Sequence, residues 1–402
     1  MTSADPASPS DATTGLDLVR CSGAELSALM LAEGSQAAPN LSRAELLAAL
    51  YAHRLERGQT VTAEGVLELL PEGFGFLRSP HHDFAAGPHD PFISPSQVRA
   101  LNLKSGHRVR GRLRAPRGNE RFFALVHVDT VNGAAGDQLA GRLAFAARTP
   151  IVATRPLELL ADDPALATLA TLAPWWRGHR VLWTAPPAWA AGALFARLVG
   201  ALHACDGALR TFVCLLDQRP EDLEAMRSAL AGIAGCDVVG STFGDAPERH
   251  VALADLTLAA AQREVEAGHD VLLLVDSLSA LAHAAQRAAP SSGRWLCPGL
   301  DVQAVLPGKR MFAAARACAE GGSLSVLGVL RVGRESAVDQ ALRAEFTNRG
   351  NSEVVVDARR VDAGAAAPFD ALATRTRPED DVRSSAERTA AAAVRARLVA
   401  EP

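Results

Sequence analysis

The spacing of hydrophobic positions changes twice along the chain, and each change predicts a different kind of structure. Between residues 16 and 57 apolar side chains recur three and four positions apart, which is the period of amphipathic helices. Ser42 and Glu45 have the spacing of a capping box, so a helix is expected to begin directly after Ser42. From residue 62 short apolar runs alternate with turn residues, and this pattern predicts a small antiparallel barrel.

Beyond residue 155 the pattern changes again, to short apolar runs that alternate with longer stretches of helical period. This alternation is typical of a doubly wound α/β domain. The predicted strands are 180–184, 211–216, 237–241, 271–276, 323–330 and 352–356. The predicted helices are 194–204, 221–234, 252–267 and 308–318.

Two segments of this region could carry nucleotide chemistry. Val181–Phe195 has the strand, turn and helix on which phosphate-binding loops are built, but its turn has no glycine run, lysine or magnesium-binding hydroxyl. Taken by itself, it is best interpreted as an ordinary core strand and helix. The five apolar residues before Asp276 resemble a Walker B strand, whose aspartate lies near magnesium, although an aspartate often ends an apolar strand.

Composition restricts the possible functions. The 402-residue chain has a net charge of −4, so a nucleic-acid site would have to be local. Its six cysteines form no CxxC pair, which argues against structural zinc and favours reduced thiols. Residues 1–15 lack the features of a signal peptide and are expected to be a disordered tail. No apolar run reaches membrane-spanning length, so a cytoplasmic protein without a membrane partner is predicted.

The predicted barrel contains a concentration of aromatic residues. They are Phe74, Phe76, Phe92, Phe122 and Phe123, and the nearby arginines are Arg78, Arg108, Arg110 and Arg121. Strand alternation places Phe74 and Phe76 on one face, and bases stack on such platforms with about 1–3 kcal/mol each. Phe123 is assigned to the core. For Phe74 and Phe76, core packing and base stacking both remain open.

The runs Glu64–Arg78, Phe92–Arg99 and Glu120–Leu125 resemble the cold-shock-type RNA-binding domain of the bacterial transcription termination factor Rho family. The resemblance implies binding of pyrimidine-rich, especially cytosine-rich, single-stranded RNA. Phe76 and either Phe92 or Phe122 would stack with bases, and Phe92 and Phe122 replace tyrosines usual in the family. The implied RNA-binding residues are Phe74, Phe76, Arg78, Asp90, Phe92, Glu120, Arg121 and Phe122.

The resemblance extends over roughly residues 20–380, through segments such as Asp217–Asp222, Ser241–Asp245 and Asp270–Leu281. It implies an α/β multi-domain chain. The divisions are a disordered tail (1–15), a Rho-type helical bundle (16–60), a cold-shock-like or OB-fold barrel (61–131), a linker (132–154), a RecA-like P-loop NTPase-type domain (155–378) and a truncated C-terminal tail (379–402). The family continues through further C-terminal helices, so their absence puts a homohexamer in doubt.

The resemblance places Ala185–Gly192 on the family's phosphate-binding loop, and the chemistry of that loop is changed. Ala191 replaces the lysine and Gly192 the magnesium-binding hydroxyl residue, while Trp189 is expected to fill the pocket. Gln218 replaces a glutamate base, and losing a general base typically costs about 10²–10⁴ in rate. The degenerate nucleotide site would comprise Pro187, Ala188, Trp189, Ala190, Ala191, Gly192, Gln218, Arg219, Asp276 and Arg377, the last as candidate arginine finger.

Two further positions depart from the family. Ala337 stands where a lysine contacts RNA in the central channel, and Phe369 lies near the position of the adenine-stacking aromatic. The sequence therefore predicts a Rho-like RNA-binding protein of transcription termination or its regulation, with ATP hydrolysis lost. Its partners would be pyrimidine-rich RNA, an authentic Rho or a second copy in a ring, and indirectly RNA polymerase. The alternatives are an active ATP- and Mg²⁺-dependent RNA translocase, and a protein-interaction module without RNA binding.

Overall fold

The structure, a computed structural model, describes residues 18–35, 40–135, 141–160, 162–333, 336–377 and 383–400. The predicted disordered tail, 1–15, lies outside the described residues. The chain forms two compact units, Met1–Arg142 and Leu143–Pro402, and each is described by itself. In the described ranges no helix is long and apolar enough to cross a membrane.

The first unit begins with two helices, α1 (Gly23–Ala32) and α2 (Arg43–Glu56). Each has a complete capping box, formed by Ser22 with Glu25 and by Ser42 with Glu45, which satisfies backbone N–H groups that a helix start leaves open. The buried leucines of both helices, with Met30 and Tyr51, belong to the same hydrophobic cluster as the barrel interior.

The rest of the first unit is the barrel. Its elements are β1 (Thr62–Leu69), β2 (Gly75–Arg78), β3 (Phe92–Ile93), α3 (Pro95–Ala100), β4 (Arg108–Arg114), β5 (Ala124–Val131) and β6 (Ala134–Ala135). The strands follow the order β3–β2–β1–β4–β5–β6, and a further pairing of β3 with β5 closes the first five into a barrel. Because side chains alternate across a strand, Leu77 faces the core while Phe76 and Arg78 lie on the outer face.

The second unit is a RecA-like α/β domain. Its first half contains β7 (Pro150–Ile151), β8 (Pro156–Leu157), α4 (Pro164–Leu172), β9 (Trp175–Trp176), β10 (Arg180–Ala185), α5 (Gly192–Cys205), β11 (Arg210–Gln218), α6 (Pro220–Leu230), β12 (Cys236–Thr242), α7 (Pro247–Glu266), β13 (Asp270–Asp276) and α8 (Leu278–Ala288). Its second half contains β14 (Trp295–Cys297), β15 (Leu300–Asp301), α9 (Leu306–Ala313), β16 (Arg316–Cys318), β17 (Ser323–Arg331), α10 (Ala337–Phe346), β18 (Ser352–Val355), α11 (Ala358–Asp362), β19 (Arg375–Thr376) and α12 (Ser385–Ala400).

The main sheet has the order β12–β11–β13–β17–β10–β18–β19, and all its neighbours are parallel except β18 and β19. In this arrangement the carboxyl ends of β10, β13 and β17 lie side by side, which places the loop after β10 next to Asp276. This juxtaposition positions the candidate nucleotide site. The predicted α/β multi-domain fold, with a barrel and a RecA-like core, is confirmed.

Some predicted element boundaries were wrong. The predicted helix 308–318 ends at Ala313, because Arg316–Cys318 pair with β17 and β7 at the edge of the sheet. The predicted helix 221–234 ends at Leu230. Residues of the expected linker, 132–154, also form strands: Ala134–Ala135 pair with β5, and Pro150–Ile151 pair with β16.

Candidate nucleic-acid interface and nucleotide loop

Four of the predicted RNA-binding residues form one aromatic cluster on the outer face of the barrel. The Phe76 ring lies 5.9 Å from Phe74, 6.0 Å from Phe92 and 4.8 Å from Phe122, measured between centroids. Phe76 is only 8% exposed because these neighbours cover it, whereas Phe122 is 39% exposed. The rings that a base would meet first are therefore the outer ones of the cluster, and Phe122 is the most open of them.

Phe123 points the other way. It is buried, and its ring meets Tyr51 of α2 edge-to-face at 5.8 Å. The assignment of Phe123 to the core is confirmed, since one step along the chain moves a side chain to the opposite face.

Arg78 and Asp90 lie together beside the aromatic cluster. The Arg78 Nη1 donates to Asp90 Oδ2 at 2.6 Å, its Nε donates to Glu68 Oε2 at 2.7 Å, and its guanidinium carbon lies 5.0 Å from the Phe76 ring centroid. Burial raises the pKa of Asp90 to about 6, although hydrogen bonds from Gly87 and Arg78 oppose that effect. Asp90 Oδ1 is buried and has no hydrogen-bond partner, and His89 Nε2 lies 3.7 Å from it.

His89 adjoins this pair and adds a second buried titratable group. Neither of its ring nitrogens has a hydrogen-bond partner, and burial, together with nearby positive groups, lowers its pKa to about 4. The ring lies 5.6 Å from His82. In the ranges that the structure describes, no three His, Cys, Asp or Glu side chains come close enough to hold a metal.

Glu120 and Arg121 lie at the exposed end of the same face. Arg114 Nη1 and Nη2 donate to the Glu120 carboxylate at 2.5 and 2.9 Å, and the Arg117 backbone N–H donates to it at 3.0 Å. The Arg114 hydrogen bonds, followed by that of Arg117, lower the pKa of Glu120 to about 2. Arg121 is exposed. Glu120 is thus ionised and already engaged, while Arg121 is open to solvent.

The candidate phosphate loop joins β10 to α5 and does not have a phosphate-binding conformation. Residues 186–192 are all described, and none has a positive φ angle, so the loop lacks the alternating backbone that forms an anion nest. The Trp189 N–H donates to Pro186 O at 3.1 Å. The position predicted to replace the lysine, Ala191, is 1% exposed and belongs to the core cluster.

Trp189 is part of the hydrophobic core. It is 7% exposed, its ring stacks on Trp183 at 5.9 Å with an interplanar angle of 18°, and it meets Phe195 at 6.0 Å. Phe369 is also completely buried, with its ring 5.7 Å from Trp183, so it is not available to stack on an adenine. The packing of Trp189 against other aromatic rings therefore fixes the loop to the core.

Arg331, at the end of β17, connects the loop to the Walker B-type aspartate. Its Nε and Nη2 donate to the two carboxylate oxygens of Asp276 at 2.8 and 2.6 Å, and its Nη1 donates to Trp189 O at 2.6 Å. Burial lowers the pKa of Arg331, but the hydrogen bond and charge of Asp276 outweigh that effect and keep the pKa above its ordinary value. The side chains of Asp276 and Arg331 are 3% and 20% exposed, so this is a largely buried bidentate ion pair.

Sequence reasoning missed Arg331, although one signal was available. It is a single charged residue that ends the apolar run of β17, and its register partner in β10 is Ala185, the last residue before the loop. A cation at the carboxyl end of a buried parallel strand requires a partner at the same edge. Only the strand order identifies that partner as Asp276.

The remaining predicted nucleotide-site residues have other partners. Gln218 Nε2 donates to Leu216 O at 3.0 Å and to Asp276 O at 3.3 Å, so it does lie beside the aspartate. Arg219 is exposed and paired with Asp222. Arg377 donates to Asn348 Oδ1 at 2.8 Å. Pro187, Ala188, Ala190 and Gly192 are exposed along the loop.

The fold and the sites define a class of protein: an OB-like barrel with an aromatic outer face in one chain with a RecA-like α/β unit. Residues 63–137 match the family model described as Rho termination factor, RNA-binding domain. Transcription termination factor Rho of Chromobacterium violaceum is 35% identical over 351 residues, covering 86% of this chain and 83% of that protein. That of Neisseria gonorrhoeae is 36% identical over 338 residues, covering 82% and 80%. The chain therefore belongs to the transcription termination factor Rho family, and the predicted resemblance is confirmed.

Two solved structures share the fold of the larger part of the chain. A type III secretion system ATPase superposes with a TM-score of 0.51 at 17% identity, covering 70% of this chain and 75% of the other. An ATP synthase subunit from Nanoarcheaum equitans has a TM-score of 0.50 at 14% identity, covering 70% and 65%. At such identities these structures support the fold only.

Proposed function

We propose that this protein binds pyrimidine-rich single-stranded RNA through the aromatic face of its barrel and acts in transcription termination or its regulation without hydrolysing ATP. The observation that carries the proposal is the Arg331 guanidinium, which joins Asp276 to the carbonyl of Trp189. Arg331 thus places a positive charge at the carboxyl edge of the sheet and binds the loop after β10 there, where the family's nucleotide site is expected.

RNA binding is supported by the composition of the barrel face. Three phenylalanine rings lie within 6.0 Å of the Phe76 ring, and the Arg78 guanidinium lies over that ring. Aromatic faces stack with any base, and a cytosine additionally offers an amino-group donor.

Loss of ATP hydrolysis is supported by three independent features of the loop and its neighbours. No lysine or hydroxyl side chain is present at positions 191 and 192 to hold phosphate or magnesium. The carboxylate of Asp276 is occupied by Arg331, so a magnesium ion would have to displace a largely buried cation. Gln218 can orient a water molecule through its amide but cannot accept a proton from it.

The relatives are named transcription termination factor Rho, and this name supports the role in termination. A protein that binds the same RNA without translocating would compete with an authentic Rho for loading sites. It could equally occupy a position in such a ring, or in a ring of its own, as an inactive subunit. In each case it would reach RNA polymerase only through the transcript.

RNA binding is tested with Phe122→Ala and fluorescence anisotropy of a labelled oligo-C. Truncating this exposed ring is expected to weaken binding by about 1–3 kcal/mol, or roughly 5- to 150-fold. Phe243→Ala is the matched control, because it removes another exposed phenylalanine, 68% accessible, from the second unit. Equal affinity of wild type and Phe122→Ala would instead favour a protein-interaction module.

Hydrolysis is tested with purified protein, Mg²⁺ and ATP, with and without oligo-C. We expect no RNA-stimulated phosphate release and no nucleotide binding at millimolar concentration. RNA-stimulated turnover that disappears in Asp276→Ala would overturn this part of the proposal and identify an active RNA translocase.

A further inference from the structure

A column of arginines runs along the outer face of β4. Arg108, Arg110 and Arg112 alternate with the buried residues Val109 and Gly111, so all three side chains lie outside the barrel. At about 3.4 Å per residue, their Cα atoms recur roughly every 7 Å. The overall charge of the chain is −4, so this basic column is a local feature.

The strand register places this column next to the aromatic cluster. Val66 of β1 pairs with Arg78 of β2 on one side and with Arg108 of β4 on the other. Since neighbouring strands are about 4.8 Å apart, the Cα atoms of these two arginines are about 10 Å apart. Phe76 lies two residues before Arg78 in β2, so the order across the face is rings, Arg78, then the column.

Measured along β1, the column continues away from the level of Phe76. The backbone of Arg110 is paired with Glu64 and that of Arg112 with Thr62. Each of these partners lies two residues farther along β1 than the one before it, counted from the position opposite Phe76. A strand of RNA leaving the cluster past Arg78 would therefore meet the three arginines in succession.

The arginines differ in how far acidic groups neutralise them. Arg108 lies 3.5 Å from Glu64, whereas Arg110 forms no ion pair within the ranges that the structure describes. Arg112 is 50% exposed, and the nearest carboxylate, Asp129, is 3.8 Å away and also bonded to His127 at 2.9 Å. Arg110 and Arg112 are thus the most available cations of the column.

We propose that the β4 column is a second segment of the RNA site, along which Arg108, Arg110 and Arg112 contact successive phosphates of a strand that leaves the aromatic cluster. The inference rests on the proposed RNA binding and extends it. Phosphate is the favoured ligand because the column offers guanidinium forks, which match phosphate oxygens. Its contribution is independent of base sequence.

The test uses Arg110→Gln with Arg112→Gln, and oligo-C probes of about 4 and about 12 nucleotides, within the range that one OB fold binds. For single strands log K changes by about 0.7 per phosphate contact for each tenfold change in salt. Loss of two contacts should therefore lower the salt slope by about 1.4 and weaken the long probe about 25-fold at 0.1 M salt. The short probe, which reaches only the rings, should bind as before.

Two further variants sharpen the result. Arg20→Gln with Arg57→Gln removes the same charge from the helical bundle and should leave both probes unaffected. Glu64→Gln releases Arg108 from its carboxylate and should tighten the long probe several-fold with a steeper salt slope.

The outcomes separate the two proposals. An unchanged slope and affinity of the long probe in the β4 double variant, while Phe122→Ala still weakens binding, would overturn the column and leave the aromatic site standing. A wild-type protein that binds neither probe would overturn the proposed function itself. Equal weakening of short and long probes would also refute the column, because it would place Arg110 and Arg112 at the rings or indicate lost folding.

Discussion

Replacing Arg331 with methionine tests whether the former nucleotide site is now a structural ion pair. The substitution keeps an unbranched side chain of similar length but leaves the Asp276 carboxylate, 3% exposed, without its cation. Removing one partner of a buried pair costs about 3–5 kcal/mol because the other charge stays desolvated. Trp189 O also loses the hydrogen bond from Nη1. We therefore expect Arg331→Met to lower the free energy of unfolding of the second unit by about 3–5 kcal/mol.

A second substitution distinguishes charge from packing. Replacing both partners of a buried pair with apolar residues is often neutral or stabilising. Arg331→Met combined with Asp276→Leu should therefore recover most of the stability lost in Arg331→Met alone. A double-variant cycle gives the coupling between the two side chains directly.

The chain provides a convenient assay for this cycle. All five tryptophans lie in the second unit, so urea unfolding followed by tryptophan fluorescence reports that unit. Arg219→Met is the matched control, because its partner Asp222 is exposed and such pairs contribute about 0–1 kcal/mol.

Two results would refute the reasoning. One is a loss below about 1 kcal/mol in Arg331→Met, which would show that the pair does not hold the core together. The other is stabilisation of the wild type by millimolar Mg·ATP, since a ligand at 100 times its Kd adds about 2.7 kcal/mol. That second result would mean that Arg331 yields to nucleotide.

Two further predictions concern the loop and the barrel. Ala191→Lys with Gly192→Thr is expected to restore no phosphate release, because position 191 faces the core; turnover would show that the missing groups alone had silenced the site. In the barrel, the pKa of Asp90 is raised to about 6, so this group stabilises the fold at low pH and its contribution is lost as pH rises from about 4 to 6. The pKa of His89 is lowered to about 4, so the free energy of unfolding decreases as pH drops from about 6.5 to 4. His89→Asn leaves only the Asp90 effect, so hydrogen exchange of barrel amides should show stability that falls as pH rises. Asp90→Asn leaves only the His89 effect, so stability should rise with pH. Identical pH profiles of the two variants would contradict these pKa shifts.

Much of the fold could be predicted because its signals are local. The capping box at Ser42 defines the start of α2, and the assignment of Phe123 to the core also agrees with the structure. The predicted sheet strands agree with the structure to within a few residues. The wrong boundary at Ala313 arose where Arg316–Cys318 pair with distant strands, which a helical period cannot reveal.

In the candidate sites, too, some features follow from the sequence and others only from the tertiary structure. The sequence itself determined that no lysine or hydroxyl residue stands at positions 191 and 192, because chemical identity does not depend on folding. It also determined that phenylalanine and arginine residues are concentrated in the barrel segment. Only the tertiary structure decided that Phe76 is covered by its neighbours and that Ala191 and Trp189 face the core.

The partner of Arg331 was likewise decided by the tertiary structure alone. Arg331 and Asp276 are 55 residues apart, and they meet because β17 lies between β13 and β10 in the sheet. Strand order results from the packing of the whole unit and leaves no local trace around either residue. The missing groups of the nucleotide loop could thus be read along the chain, while the ion pair that replaces them exists only in the folded sheet.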